Sequence, residues 1–284
     1  MTKLTELELA TRKENITQRL ADHLQEGLDY FNKSQIVGIF LQGSQNYDLD
    51  LPGSDVDTKL IVVPSFKEIA LNKKPVSTTH IRENEEHIDF KDVRLYMETF
   101  RKQNLNFLEI LFTDFCWVNP LYQNQWNRLV RNREHIAHMN EFRAVKSMKG
   151  IALEKYDAME HPYPSKVDIL AKYGYDGKQV HHLLRVEDYL ERYIDGEPYK
   201  KCLIPTESKK EHLLDYKKQL IPLDEARAEA EKTIAHVIEI ADKFCDTHEE
   251  IESPEVRELL EDGSYNIMKI AVAQEIGQSN FITH

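Results

Sequence analysis

Gly43-Ser44, then ten residues, then Asp55-Val56-Asp57 is the stretch of this chain whose residue types could do chemistry together. A glycine lets a ligand approach the backbone closely. Ser44 can cap the turn that follows and hydrogen-bond a phosphate oxygen. Asp55 and Asp57 stand at i and i+2, so on a strand both carboxylates point to one face, about 6–7 Å apart at Cα. Mg²⁺ takes oxygen ligands and is usually held by one or two carboxylates together with substrate phosphates. Phosphate-binding groups beside paired carboxylates imply a metal-dependent reaction at a nucleotide phosphate, with Mg²⁺ or, in its place, Mn²⁺. A third carboxylate on a neighbouring strand would complete a two-metal site. Asp89, between Ile88 and Phe90, is the first choice and Asp92 the alternative, because a small register error exchanges them. The competing reading is an ordinary loop over 45–54. Gly, Ser, Asn, Asp and Pro are the usual turn formers, and both acids would then be solvated.

The elements around these residues follow from hydrophobic periodicity. Leu9, Ile16, Leu20, Leu24, Leu28 and Phe31 recur at helical spacings, predicting an amphipathic helix over about 5–33. Ile36 to Leu41 is an apolar run of strand length ending at the Gly-Ser turn, and Thr58 to Val63 is a second strand closed by Pro64. His87 to Phe90 resembles a short third strand, and 72–85 reads as a polar connection. Phe100, Phe107, Leu108 and Leu111 space as a helix over 96–112. After Pro120 only helical periodicity is visible, over about 122–158, 177–195, 224–248 and 254–276. The expected class is therefore α+β: a small mixed sheet in residues 1–122, followed by an α-helical domain in 123–284.

Composition narrows the classes. With 284 residues, 41% apolar and 30% charged, the chain is an ordinary globular sequence. It has no apolar run of the length a membrane span needs and no apolar signal-peptide core over Met1–Asn15. The three cysteines, Cys116, Cys202 and Cys245, are scattered and form neither a disulfide framework nor a zinc pattern. A reducing cytoplasm is the simplest setting. A net charge of −12 argues against a broad nucleic-acid coat, while leaving room for a local basic groove.

The arrangement Gly43-Ser44, spacer, Asp55-Val56-Asp57 resembles the signature of the DNA polymerase β-like nucleotidyltransferase superfamily. Thr58 departs from it, standing where an apolar residue is usual. Two further segments resemble one poorly characterised bacterial and phage branch, sometimes described as RNA-repair-associated. These are Asn106-Phe107-Leu108-Glu109-Ile110-Leu111, and Asp176-Gly177-Lys178 followed by His182-Leu183-Leu184-Arg185. The three occur in the branch's order between residue 41 and about 195; the stretch beyond gains nothing from the likeness.

Asp176 is the expected N-cap for a helix from about Gly177 to Ile194, with Val180, Leu183, Leu184, Leu190 and Ile194 as its buried stripe. Lys178, His181, His182 and Arg185 fall off that stripe, on an exposed arc. By itself such an arc is a solvated face with ion pairs to Glu187 and Asp188. The resemblance assigns Lys178, His182 and Arg185, but not His181, to nucleotide binding alongside Gly43 and Ser44. It also implies Asp55, Asp57 and Asp89 as catalytic metal ligands. The expected reaction moves a nucleoside monophosphate from a nucleoside triphosphate to an acceptor hydroxyl, releasing pyrophosphate. The acceptor is an RNA end, a small molecule or a protein hydroxyl. A non-catalytic nucleotide sensor or protein-interaction module is the alternative. Glu109, within an apolar helix, reads as a structural hydrogen-bond or salt-bridge partner. Oligomeric state is not legible.

Overall fold

Five strands form one mixed sheet in the computed structural model of the chain, which describes residues 6–279. The strands are β1 (Ile36–Gln42), β2 (Asp57–Val62), β3 (Ser77–Ile81), β4 (His87–Asp92) and β5 (Cys116–Val118), in the spatial order β3-β4-β2-β1-β5. β1 is antiparallel to β2 and β5, β2 is parallel to β4, and β3 is antiparallel to β4. The molecule is thus mixed α/β.

The N-terminal half also carries helices α1 (Glu6–Gly27), α2 (Phe66–Ala70), α3 (Val93–Arg101) and α4 (Leu105–Leu108). Then follow α5 (Gln123–Arg131), α6 (Arg133–Ala137), α7 (Glu141–Ala158), α8 (Val167–Tyr173) and α9 (Gly177–Ile194). The chain continues through α10 (Tyr199–Leu203), α11 (Glu207–Lys217), α12 (Leu223–Thr247) and α13 (Pro254–Ser279). No described helix is long and apolar enough to cross a membrane.

Period-two alternation divides the sheet. One face presents Ile36, Ile39, Leu60, Val62, Ile88 and Phe90 to Leu24 of α1 and to Leu28 and Phe31 just beyond it. The other presents Val37, Phe40 and Ile61 to α3 and the helical half, in an apolar cluster that continues to Val237 of α12 and Leu260 of α13. Each buried aliphatic side chain here contributes about 1.5–3 kcal/mol. β2 is central and buried on both faces, which is why its sequence reads as a β-rich run.

The expected elements are present with shifted bounds. The first helix ends at Gly27, where a Cβ would lie 2.5 Å from Leu60 Cδ1, so the chain passes close over the sheet. The helix expected over 96–112 breaks at Lys102–Asn104, where Gln103 has φ +54° and its amide bonds the Phe100 and Ile136 carbonyls. The helix expected over 122–158 is three helices, interrupted at Asn132 and at His138–Asn140. Residues 72–85 contain edge strand β3, whose exposed, polar Ser-Thr-Thr lacks an apolar signature. α11 also escapes the periodicity: Leu213, Leu214 and Tyr216 crowd into one end of an otherwise polar helix.

Candidate functional site

The Gly-Ser turn sits where β1 ends. Gly43 adopts φ +88°, ψ −159°, a conformation essentially confined to glycine, and opens a short 3-10 turn over Ser44–Asn46. The following loop is built rather than solvated. Tyr47 and Leu49 are buried. The Gln45 side chain donates to the Asp55 carbonyl at 3.0 Å, and Asn46 to the Leu41 carbonyl at 2.9 Å. From α1, Arg12 bonds Asp50 at 2.7 Å and the Gln45 carbonyl at 2.8 Å. The loop is thereby fixed on both sides of the acids it delivers.

Asp57 is the first residue of β2, and exposed Asp55 lies just before the strand. Between them, the Val56 amide donates to Glu86 Oε1 at 3.0 Å. Glu86 is itself buried and receives His23 Nε2 at 2.9 Å, with Arg19 and Arg82 beside it. Burial pushes the Asp57 carboxyl above its ordinary range. The His87 amide and charge pull it back, Asp55 pushes it up again, and Lys178 pulls it down. The two acids therefore feel one another's charge, and both feel the helical half.

Asp89 is on the same sheet face as Asp57, opposite Lys59 in the parallel β2–β4 register. Asp92 is on the other face, where it caps α3 and pairs with Arg94 at 2.6 Å. Geometry thus separates the two candidates for a third carboxylate. Asp89 is not gathered with Asp55 and Asp57, however. Thr79 donates to its Oδ1 at 2.6 Å, Gln42 to its Oδ2 at 3.4 Å, and Lys59 Nζ stands 3.6 Å from Oδ2. Among the described residues, no three His, Cys, Asp or Glu side chains are placed to hold a metal ion. The donor set that does suit Mg²⁺ is the pair Asp55 and Asp57, oxygen ligands whose mutual repulsion a cation would relieve.

The wall opposite comes from α9 and α11. Asp176 caps α9, accepting from the Lys178 amide at 3.0 Å. A Cβ on Gly177 would meet the Tyr216 carbonyl oxygen at 2.1 Å, so the start of α9 packs directly on the end of α11. That contact brings exposed Lys178 beside Lys217, and the two ammonium groups repel. Lys217 Nζ donates to Ser44 Oγ at 3.2 Å and to the Leu49 carbonyl at 2.8 Å. Burial first, then Lys178, lowers it to about 8.

The exposed arc expected on α9 is largely enclosed. Helices α7, α10, α11 and α12 all pack on α9, leaving His181 and Arg185 buried at 1% and 6% exposure and His182 half-buried. His181 Nδ1 donates to the Leu213 carbonyl at 2.8 Å; burial lowers its pKa to about 3. Burial lowers the His182 pKa well below its ordinary value, and the neighbouring charges of Arg185 and Lys178 act in the same direction. The expected ion pairing to this arc is also different, since Asp188 pairs with Arg192 and Lys209 instead.

Arg185 stacks on Tyr47, its guanidinium carbon 3.7 Å from the ring centroid, while Nε and Nη2 have no hydrogen-bond partner. Buried Glu109 accepts from the Gly43 amide at 3.3 Å and is drawn toward the charge of Arg185. Burial nonetheless raises its carboxyl to about 8. Among the described residues, none of Lys178, Arg185 and Lys217 lies within salt-bridge distance of a carboxylate.

The structure thus places Gly43, Ser44, Asp55, Asp57, Lys178 and Arg185 around one end of the sheet, with His182 in the same helix and Asp89 one step along the face. Lys217 and Lys59 were not singled out by the sequence. Lys217 lies in a helix without a clear apolar stripe. The signal for Lys59 was present, since a lysine inside an apolar strand must have a partner when buried. No family model matches the chain, and no curated protein matches it in sequence.

Proposed function

We propose that the protein is a nucleotidyltransferase that moves a nucleoside monophosphate from a nucleoside triphosphate to an acceptor hydroxyl. The observation that carries this reading is three cations, Lys178, Arg185 and Lys217, with no carboxylate at salt-bridge distance among the described residues, beside a Gly-Ser turn and an acid pair. Such an arrangement is short of anions on one side and of cations on the other. A triphosphate with a divalent ion supplies both.

In this reading the turn amides after Gly43 and the Ser44 hydroxyl hold the terminal phosphates. Lys217 and Lys178 neutralise them as point charges, and Arg185 backs the turn through Tyr47. His182 lines the same wall as a neutral group. Asp55 and Asp57 would hold Mg²⁺ or Mn²⁺ together with phosphate oxygens. When bound, that ion would neutralise charge on the transferring phosphoryl group and favour ionisation of the acceptor hydroxyl. The acceptor oxygen then bonds to the α-phosphorus, the bond to pyrophosphate breaks, and the acceptor proton is lost to solvent. The chain's part is positioning and charge stabilisation, with no side-chain nucleophile. The domain order, sheet first and helical wall second, fits this division of labour. The resemblance of the turn and acid pair to DNA polymerase β-like enzymes points the same way.

The direct test is incubation of wild type and Asp57→Asn with each labelled triphosphate, Mg²⁺, and a panel of RNA, small-molecule and protein acceptors. Label transfer by wild type alone is expected. Equal incorporation by both, across the panel, would remove the catalytic reading. Triphosphate binding without pyrophosphate release would favour a nucleotide sensor instead.

A further inference from the structure

We infer that this site takes one divalent cation, at Asp55 and Asp57, and that the Lys59 ammonium fills the place beside Asp89 where a second ion would sit. The inference rests on the nucleotidyl-transfer reading and specifies its metal count.

Lys59 follows Asp57 by two positions in β2, so both side chains leave the same face. The parallel register sets Lys59 opposite Asp89, and Nζ lies 3.6 Å from the Asp89 carboxylate. Both Asp89 oxygens are already engaged, one by Thr79 and the other by Gln42 and Lys59. All these partners are on sheet strands, which hold them in fixed positions. Lys59 is 3% exposed and lies 4.4 Å from the centre of the Phe107 ring. Lys91 lies 4.0 Å from the same ring.

Recruiting Asp89 to a metal would leave the Lys59 ammonium buried without its counter-ion, which is costly. It would also bring a divalent cation against a fixed ammonium in a medium of low dielectric, where like charges repel strongly. The lysine instead supplies a positive charge next to the acid pair from a position fixed in the sheet. Lys59 in turn feels the charge of Asp57.

The test is Mn²⁺ titration of the full chain followed by electron paramagnetic resonance, with no turnover required. Wild type is expected to bind one Mn²⁺ per chain, with the spectrum of an isolated ion. Asp89→Asn should still bind one, with affinity little changed, whereas Asp57→Asn should weaken binding at least about tenfold. Lys59→Met frees Asp89 and should admit a second ion, with the exchange-coupled spectrum of a pair about 3.5–4 Å apart. Two coupled ions in wild type, or loss of an ion in Asp89→Asn, would overturn the inference while leaving nucleotidyl transfer intact. A wild type that binds no Mn²⁺ would overturn the metal-dependent function and this inference with it. Should Lys59→Met not fold, the comparison of wild type with Asp89→Asn decides alone.

Discussion

Lys217 Nζ donates to Ser44 Oγ across 3.2 Å, although 173 positions separate the two residues. This bond ties the last residue of α11 to the turn that follows β1, and so ties the helical half to the proposed phosphate site. The same ammonium reaches the Leu49 carbonyl at 2.8 Å, which holds the loop closed over its buried Tyr47 and Leu49. Removing it should affect an anionic ligand more than the fold. Lys217→Met is expected to weaken triphosphate binding roughly 10- to 100-fold, as befits loss of one charge-assisted hydrogen bond of about 1.5–3 kcal/mol. Calorimetry at low and moderate salt checks this. Binding equal to wild type would remove Lys217 from the site.

Gly43 offers a test in which backbone and side chain separate cleanly. Nothing lies within 4 Å of a Cβ built there, so Gly43→Ala meets no steric clash. The cost comes from holding alanine at φ +88°, ψ −159°, on the order of 1–3 kcal/mol. A lowered midpoint in thermal or urea unfolding is expected, along with weaker triphosphate binding as the turn rotates. An unchanged midpoint would mean that the turn relaxes freely.

Glu86 positions the acid pair through the backbone. Its carboxylate accepts from the Val56 amide at 3.0 Å and from His23 at 2.9 Å. Burial would raise its pKa, but His23, the Val56 amide and Arg19 pull it below the ordinary range. Glu86→Ala leaves that amide, the imidazole and Arg19 without their acceptor, while Arg82 keeps Glu26, a loss of about 3–5 kcal/mol by analogy with a broken buried ion pair. Glu86→Gln keeps an acceptor for Val56 and should retain more stability than Glu86→Ala. Mn²⁺ affinity should fall in Glu86→Ala, because Asp55 and Asp57 flank the released amide, and fall less in Glu86→Gln. Full Mn²⁺ affinity in a folded Glu86→Ala would show that the acids are placed without it.

His181 gives a pH signature. Its pKa falls from 6.5 to about 3 in the folded protein, first through burial. The unfolded chain therefore binds a proton below about pH 6.5 that the folded chain refuses until about pH 3. Stability from this group is complete above pH 6.5 and is lost as pH falls between those values, by up to about 1.4 kcal/mol per pH unit. His181→Gln should flatten the dependence by about one proton in that window, measured by urea unfolding at successive pH values. An identical slope in wild type and variant would contradict the burial argument.

Strand β1, strand β2 and the start of α9 are legible in the sequence because their signals are local. Ile36 to Leu41 is uniformly apolar, Asp55 and Asp57 stand two apart, and Asp176 precedes a periodic helix. Those residues also nominated most of the site. β3 and α11 were not legible, since a polar edge strand and a helix anchored by one cluster of apolar residues lack periodicity. The burial of His181 and Arg185 was hidden for a related reason. A helix wheel identifies one core-facing stripe, but α9 is surrounded by several helices, and that is a property of their arrangement.

By itself, the sequence determined which chemical groups are available: a glycine free to take φ +88°, a neighbouring hydroxyl, two carboxylates at strand spacing and a basic helix start. Tertiary structure alone decided their partners. Parallel pairing of β2 with β4 set Lys59 against Asp89, and the approach of Gly177 to Tyr216 set Lys217 beside Lys178 and Ser44. Spacing along the chain fixes which face a side chain leaves from. Only the folding of distant segments onto that face fixes which charge it meets.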